Sequence, residues 1–521
     1  MNAVAAVANS GTPWLTVAGG IPLLGAIVVA LLPARLAKVT TLLFSLVDLV
    51  WVIVMATQFN TSGPTYQFTE QYSWIPQFGV HYALGVDGIA LVLIGMTVVL
   101  MPVVVLASWP DADNVGKSPK TYFALMLVLV TMLIGTFAAT DVFLFYVFFE
   151  AMLIPMYFMI GSFGVGPRQY AAVKFLLYSL LGGLLMLVAV IALYVYSGES
   201  AATGHHGTFI FYTLMHVSLS PTVQKWLFLG FFIAFAIKAP LWPFHTWLPD
   251  AAASAQPGAA VLMLGVMDKV GTFGMIRYCL ELFPAGFHYF TPLILVLAVI
   301  SIIYGAIVAI GQASMKRLIG YTSISHFGFI VLGIFALTSQ GQSGATFYMV
   351  NHGFVTAALF LLVGFMIVRR GSDKISDYGG VQRVAPMLAG LFLISGLAGL
   401  SLPGLSTFVS EFLVLVGTFS RYKVAGTFAV AGIILAAIYI LWMYQRTMTG
   451  PTVESVKAMP DLRVRELLAV VPIVALIIAL GVYPKPVLDV INPAVKATMS
   501  QVGSVDPVPA HPAAAQNGGQ P

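Results

Sequence analysis

Charge is what this sequence has least of. Only 8% of its 521 residues are Asp, Glu, Lys or Arg, against roughly 25% in soluble domains, which excludes a water-soluble globular protein. Cysteine is reduced to Cys279. That excludes internal disulfides, thiolate-held clusters and CxxC redox pairs, and leaves Cys279 as a core residue. The opening MNAVAAVANSGTPWLTVAGG lacks the basic n-region of a secretory signal, so its apolar stretch is expected to be kept. Alternation of apolar and polar residues, the mark of a membrane barrel, is missing too. The net charge of +5 resides in loops and gives no nucleic-acid surface.

What remains is apolar length. Hydrophobic residues make up 59% of the chain, and the mean hydropathy is +0.95. Continuous apolar stretches recur at the ~20 residues that cross a bilayer. The pattern predicts an all-α polytopic membrane protein with about fourteen transmembrane helices. If the N-terminus lies outside, the inside loops collect sixteen of the 24 basic residues, among them Arg35, Lys117, Arg168, Lys316, Arg369 and Arg465. Arg421 and Lys423 are the main outside exceptions. The positive-inside rule therefore puts both termini on the outer face of the lipid bilayer.

Against that apolar background the ionisable residues are conspicuous. Lys238 stands mid-span in FFIAFAIKAPLWPFHTWLPD, twelve residues from both Trp226 and Asp250; that is about 18 Å along a helix in either direction. A lysine at that depth costs roughly 2.5–3.5 kcal/mol on insertion scales. Glu150 lies in DVFLFYVFFEAMLIPMYFMIG, Lys269 beside Asp268 in AAVLMLGVMDKVGTFGMIRY, and His326 in IGYTSISHFGFIVLGIF. His352 lies in FYMVNHGFVTAALFLLVG and Glu411 in LSLPGLSTFVSEFLVLVGTF. One buried pair alone is explained by helix packing, but ionisable groups at similar depth on six spans mark an ion or proton path. His245 reads equally as a packing group or a site residue. Lys174 reads equally as an interfacial anchor or a proton carrier. His205 and His206 read as a loop pair rather than a metal site.

Proline opens the helix ladder, and two spans show it: AIKAPLWPFH around Pro240 and Pro243, and LSLPGLSTFVSEF around Pro403. Each holds a charge close by, Lys238 and Glu411. The spacing from Glu150 to Lys238 is 238 − 150 = 88 residues, and from His326 to Glu411 it is 411 − 326 = 85. Two inverted five-helix repeats with discontinuous helices, at 121–281 and 290–447, place these pairs in corresponding positions. The remaining segments are an N-terminal three-helix stretch at 1–120, a C-terminal loop and last helix at 448–503, and a Pro/Ala/Gly/Gln-rich tail at 504–521 expected to be disordered.

WIPQFGVHYALGVDGIALVL, FLFYVFFEAMLIPMYFMIG, KAPLWPFHTWLPDA, KRLIGYTSISHFGFIVLGIF and GLSLPGLSTFVSEFLVL together resemble the antiporter-like membrane subunits of bacterial respiratory complex I, NADH-quinone oxidoreductase. The likeness spans about residues 70–450 in order. The FVSEF glutamate and the short tail set the chain apart from the sister chains L and N. The resemblance implies a proton-translocating subunit of the bacterial plasma membrane, coupled to electron transfer elsewhere. It implies no cofactor in this chain, with NADH, FMN, iron–sulfur clusters and quinone in partner subunits, and membrane-arm partners that include chains L and N. It also implies roles: Lys238 as central proton carrier tuned by Glu150, Lys269 as the link between halves, His326 and His352 as the polar axis, and Glu411 as the terminal site. Three positions depart from the family pattern. Ala252 and Ser254 stand where LPDAHTEAP has His and Glu, and Ser314 stands where QxDLKK has Asp. A multisubunit Na+/H+ antiporter subunit is the nearest alternative. A quinone-binding chain built on Trp242 and Trp247, and a purely structural spacer, are the others.

Overall fold

A computed structural model describes residues 9–507 apart from Val115. Among the described residues, twelve helices are long and apolar enough to cross a membrane, from Trp14–Leu31 to Val464–Val482. The chain is a mostly helical polytopic membrane protein. Burial sorts the helices into layers. Pro257–Leu280 is buried throughout and Met315–Phe335 and Ser339–Arg370 almost so, whereas the N-terminal pair Trp14–Leu31 and Ala34–Thr57 is about one-third buried and lies at the rim. Of the six ionisable groups singled out in the sequence, Lys269, His326 and His352 sit on these three central helices.

Two apolar stretches expected as single spans are interrupted. Pro221–Lys238 ends at the lysine, and helix resumes at Trp247–Ser254. Pro386–Gly399 and Ser406–Arg421 are likewise separated by six non-helical residues, 400–405. Pro240 and Pro403 explain why the ladder stops there, since neither carries an N–H to continue it. The Lys269 span is irregular in another way. Its helix widens into π-turns at Val261–Met267 and Met275–Leu280, on either side of Lys269. Such bulges recur at functional sites.

Two elements were not foreseen. Gln67–Ile75 and Val80–Val86 form an antiparallel hairpin with Tyr72 opposite Tyr82, where a loop and the first turn of a span were expected. The hairpin is anchored by its own polar groups. Glu70 accepts hydrogen bonds from the Leu15 and Thr16 amides at 2.8 and 3.2 Å, capping the first helix. Asp87, just past the second strand, caps Gly88–Ala107 through Ala90 N at 2.8 Å. The second element is Lys485–Val502, an amphipathic helix whose face of Ile491, Ala494, Val495, Thr498 and Met499 is buried against Gly88–Ala107 and Ser339–Arg370. Past it, Asp506 accepts from the Ser339 amide at 2.7 Å and Ser504 donates to the Leu337 carbonyl, so the tail is docked up to that point; residues 508–521 lie outside the described residues.

The C-terminal helix reaches the core through one close approach. A Cβ at Gly88 would fall 1.8 Å from the Val490 carbonyl oxygen, so only glycine fits. Gly88→Ala should therefore displace Lys485–Val502 at a cost of about 1–3 kcal/mol. The check is limited proteolysis of the C-terminus in detergent together with thermal stability. Unchanged protection and melting would show that the helix docks without this contact.

Candidate functional site

Lys238 is the last residue of its helix and is buried. The break that follows frees backbone groups, and local side chains take them up. Trp247, fully buried, donates its indole N–H to the Ile237 carbonyl at 2.9 Å, and Ser301 Oγ accepts from the Trp242 amide at 2.8 Å. These tryptophans are thus part of the break. Lys238 Nζ lies 5.3 and 5.7 Å from the ring centres of Phe149 and Phe175 and has no hydrogen-bond partner. Cation–π contact is its nearest solvation. Glu150 sits where the Val142–Ala151 and Leu153–Phe163 helices meet. Its carboxylate rests on bare backbone, since a Cβ at Gly183 would lie 1.6 Å from Oε1. Oε1 also lacks a hydrogen-bond partner. Glu150 and Lys238 lie within each other's field, but no hydrogen bond joins them.

The second half is connected. Lys269, fully buried, bonds the Leu264 carbonyl and lies 2.7 Å from His352 Nδ1. An ammonium can only donate, so with Lys269 charged, His352 Nδ1 accepts and its proton sits on Nε2, 3.2 Å from Thr356 Oγ1. The His352 and His326 rings are 5.3 Å apart. His326 Nδ1 lies 2.6 Å from Tyr348 Oη, which donates to Glu411 Oε2 at 2.9 Å. Ser401 donates to the same oxygen at 2.5 Å. Because the Tyr348 proton points at Glu411, His326 Nδ1–H must be the donor to Tyr348. The polar chain is oriented from the histidines toward Glu411.

The structure thus bonds Lys269 to His352 and His326 through Tyr348 to Glu411, packs the two histidine rings together without a hydrogen bond, and places Lys238 and Glu150 as a separate pair. His245 stays outside both. It is buried, its ring nitrogens have no partner, and it packs edge-on against Tyr304 with ring centres 5.0 Å apart. Sequence reading missed Tyr348 and Ser401. Tyr348 lies four residues before His352 on one helix, hence on the same face, a signal that was available. Ser401 was not legible, because its hydroxyl is aimed by a left-handed backbone (φ 60°) inside the second break. Lys174 proves to be an ion-pair partner. It and Arg317 each lie 2.7 Å from the Asp250 carboxylate. Nearby, Lys316 donates to the Ala255 carbonyl at 2.6 Å. The departures fit locally: Ala252 is buried facing Gly320, and Ser314 caps its helix through Arg317 N at 3.2 Å while bonding Asp373.

Comparison with known proteins agrees with this architecture. Residues 139–438 match the family described as NADH:quinone oxidoreductase/Mrp antiporter, TM, and residues 30–136 match NADH-ubiquinone oxidoreductase chain 4, amino terminus. The chain is 54% identical to NADH-quinone oxidoreductase subunit M of Mycobacterium tuberculosis (strain ATCC 25618 / H37Rv), covering 96% of this chain and 97% of that one. It is 40% identical to the subunit M of Rhodobacter capsulatus, over 88% and 90%. Among solved structures it superposes on a chain of respiratory complex I from Thermus thermophilus with bound NADH (TM-score 0.86, 31% identity, 94% and 100% covered). It shares its fold with a chain of the Mrp complex from Dietzia sp. DQ12-45-1b (TM-score 0.78, 23% identity, 93% and 52% covered).

Asp250 gives a pH test at the edge of the site. Burial works to raise its carboxyl, but hydrogen bonds from Lys174 and Arg317 outweigh it and hold the group below the ordinary carboxylate range. A depressed native value stabilises the fold above the unfolded value near pH ~4, and that contribution fades as pH falls through the native value. Asp250→Asn should lower the melting temperature at neutral pH and converge on the unsubstituted protein in acid. Melting curves across pH decide it, and a constant gap at all pH values would refute the ion-pair account.

Proposed function

The chain belongs to the NADH:quinone oxidoreductase/Mrp antiporter transmembrane family, and on that footing we propose that its buried ionisable residues are the path by which protons cross. It is an antiporter-like membrane subunit of NADH-quinone oxidoreductase, coupling electron transfer in partner subunits to proton pumping. Lys238 loads from the inside, with Glu150 tuning it; Lys269, His352, His326, Tyr348 and Glu411 pass the proton on, and release is to the outside. The observation that carries this reading is the oriented contact His326–Tyr348–Glu411. Each step in it exchanges one O–H or N–H bond for another, and none leaves a charge without a neighbouring acceptor.

The energetics are of the right size. Moving a proton against 100 mV requires about 2.3 kcal/mol, and each pKa unit is worth about 1.4 kcal/mol. Bringing a carboxylate toward a buried lysine, or withdrawing it, changes its proton affinity by a few units. Glu150 and Lys238, coupled but unbonded, are poised for that change. We also read the two interrupted stretches as completing fourteen spans in two inverted repeats, with both termini outside. Further membrane-arm subunits, including the sister chains L and N, are the neighbours through which the coupling arrives, and NADH, FMN, iron–sulfur clusters and quinone belong to partner subunits. The Na+/H+ antiporter alternative shares the fold but not the electron transfer.

Two substitutions test this in the intact assembly in sealed vesicles. Lys238→Ala should lower NADH-driven proton uptake and coupled quinone reduction by about tenfold or more with assembly unchanged. Full activity would return Lys238 to a packing role. Tyr348→Phe, which keeps the ring and removes only the hydroxyl, should produce a similar loss. Because it acts in one chain with Glu411, Tyr348→Phe combined with Glu411→Gln should be no worse than either alone. Additive losses would mean the two residues do not share a path.

A further inference from the structure

The proposed path has a gap. The first half ends at Lys238, whose Nζ has no hydrogen-bond partner, and the second begins at Lys269. No hydrogen bond joins Lys238 to Lys269, so a proton cannot pass directly from one to the other. Something with a lone pair has to lie between them.

Asp268 has the required placement. It is fully buried, and both its carboxylate oxygens lack a hydrogen-bond partner. A buried carboxylate in that condition costs several kcal/mol, so its retention needs a reason that packing does not supply. The charges that reach it are Lys269 first and Lys238 second. Seen from the other side, Asp268 acts on Lys238 ahead of Glu150.

Backbone geometry fixes the juxtaposition independently. One turn after Asp268, Gly271 presses against the lysine-bearing helix: a Cβ there would lie 2.6 Å from the Phe235 carbonyl oxygen and 2.7 Å from the Ala239 amide. Those two groups are hydrogen-bonded across the turn that holds Lys238. The two helices therefore touch backbone to backbone at the lysine. Consecutive helical residues project about 100° apart, 360° over 3.6 residues, so Asp268 and Lys269 do not share a face. Lys269 faces His352, and Asp268 is turned from it.

We infer that Asp268 relays the proton between the two halves, taking it from Lys238 and delivering it to Lys269. This rests on the proton path proposed above. In the first step an N–H bond of the Lys238 ammonium breaks and an O–H bond forms on Asp268, leaving a neutral amine and a neutral acid. In the second the O–H bond breaks and the Lys269 amine becomes an ammonium, restoring the carboxylate. No electrons move, and the site returns to its starting charge once Lys269 has passed the proton to His352 and Lys238 has taken up another. Asp268 also explains how two lysines coexist in one low-dielectric region. Its negative charge lies between them whenever either is protonated.

The test uses the whole assembly in sealed vesicles, with Lys238→Ala measured alongside. Asp268→Asn keeps the shape and cannot carry a proton, so proton uptake and coupled quinone reduction should each fall by about tenfold or more. Asp268→Glu, which still titrates, should retain a substantial part of both. Should the buried amide impair assembly, Asp268→Leu removes the unpaired polar group; it should assemble and still fail to pump. A carboxylic C=O band in redox-difference infrared spectra should vanish in the Asn and Leu variants and persist, shifted, in the Glu variant. Normal coupled pumping in Asp268→Asn or Asp268→Leu would overturn the relay. If Lys238→Ala abolishes pumping in the same series, only the relay is lost. If Lys238→Ala also pumps normally, the underlying path is lost with it.

Discussion

Everything central in this protein depends on holding ionisable groups in hydrocarbon without giving them partners that would immobilise them. A buried charge is tolerated when it is paired and hydrogen-bonded, and this chain shows what full pairing looks like. Arg277 lies 2.7 Å from Asp87 and 3.5 Å from Glu281, and Glu281 accepts from Thr498 at 2.6 Å. That cluster ties the start of Gly88–Ala107, the Lys269 span and the C-terminal helix together. It is saturated, and a saturated network has nowhere to send a proton. Lys238 and Asp268 are buried as deeply and have no hydrogen-bond partner. The contrast separates charges that fasten the fold from charges left free to change state.

The breaks in the helices serve the same end. A continuous helix satisfies all its own backbone groups and has none to spare. Interrupting it at Pro240 and Pro403 frees carbonyls and amides at depth, and the protein absorbs them one by one. Trp247 takes the Ile237 carbonyl, and Thr407 donates to the Ala398 carbonyl in the last turn before the second break. Rigid side chains thus hold each break open at a fixed place beside a buried charge. The widened turns around Lys269 extend the pattern to a span whose one proline, Pro257, stands at its start.

The sequence exposed the site because charge is so scarce in it. With 8% charged residues, Glu150, Lys238, Lys269 and Glu411 could be picked out by depth alone, and Pro240 and Pro403 announced the breaks. Partnerships were less legible, since they depend on which faces meet. Lys269 and His352 are 83 residues apart in the chain, and nothing in either segment announces that they touch. Asp268 was visible but read as a neighbour of Lys269, because the Gly271 contact that sets it beside Lys238 is a property of packing. The hairpin was hidden for a different reason. Its second strand, Val80–Val86, is apolar enough to merge with the helix after it, and the Asp87 cap that divides them is a single residue.

The two halves use one device with different endings. At the first break the charge is an ammonium held against aromatic faces without a hydrogen bond. At the second it is a carboxylate that receives hydroxyl donors from Tyr348 and Ser401. Solvation by fixed donors is insensitive to distant motion, whereas an unbonded charge answers to every nearby carboxylate through a field that falls only slowly with distance. A small displacement of Glu150, which sits on bare backbone at a helix junction, therefore acts most strongly on Lys238 and least on Glu411. On the path proposed here, the arrangement puts the adjustable element at the entry and the rigid one at the exit. A coupling that arrives from neighbouring subunits as a modest movement has to act at the adjustable end.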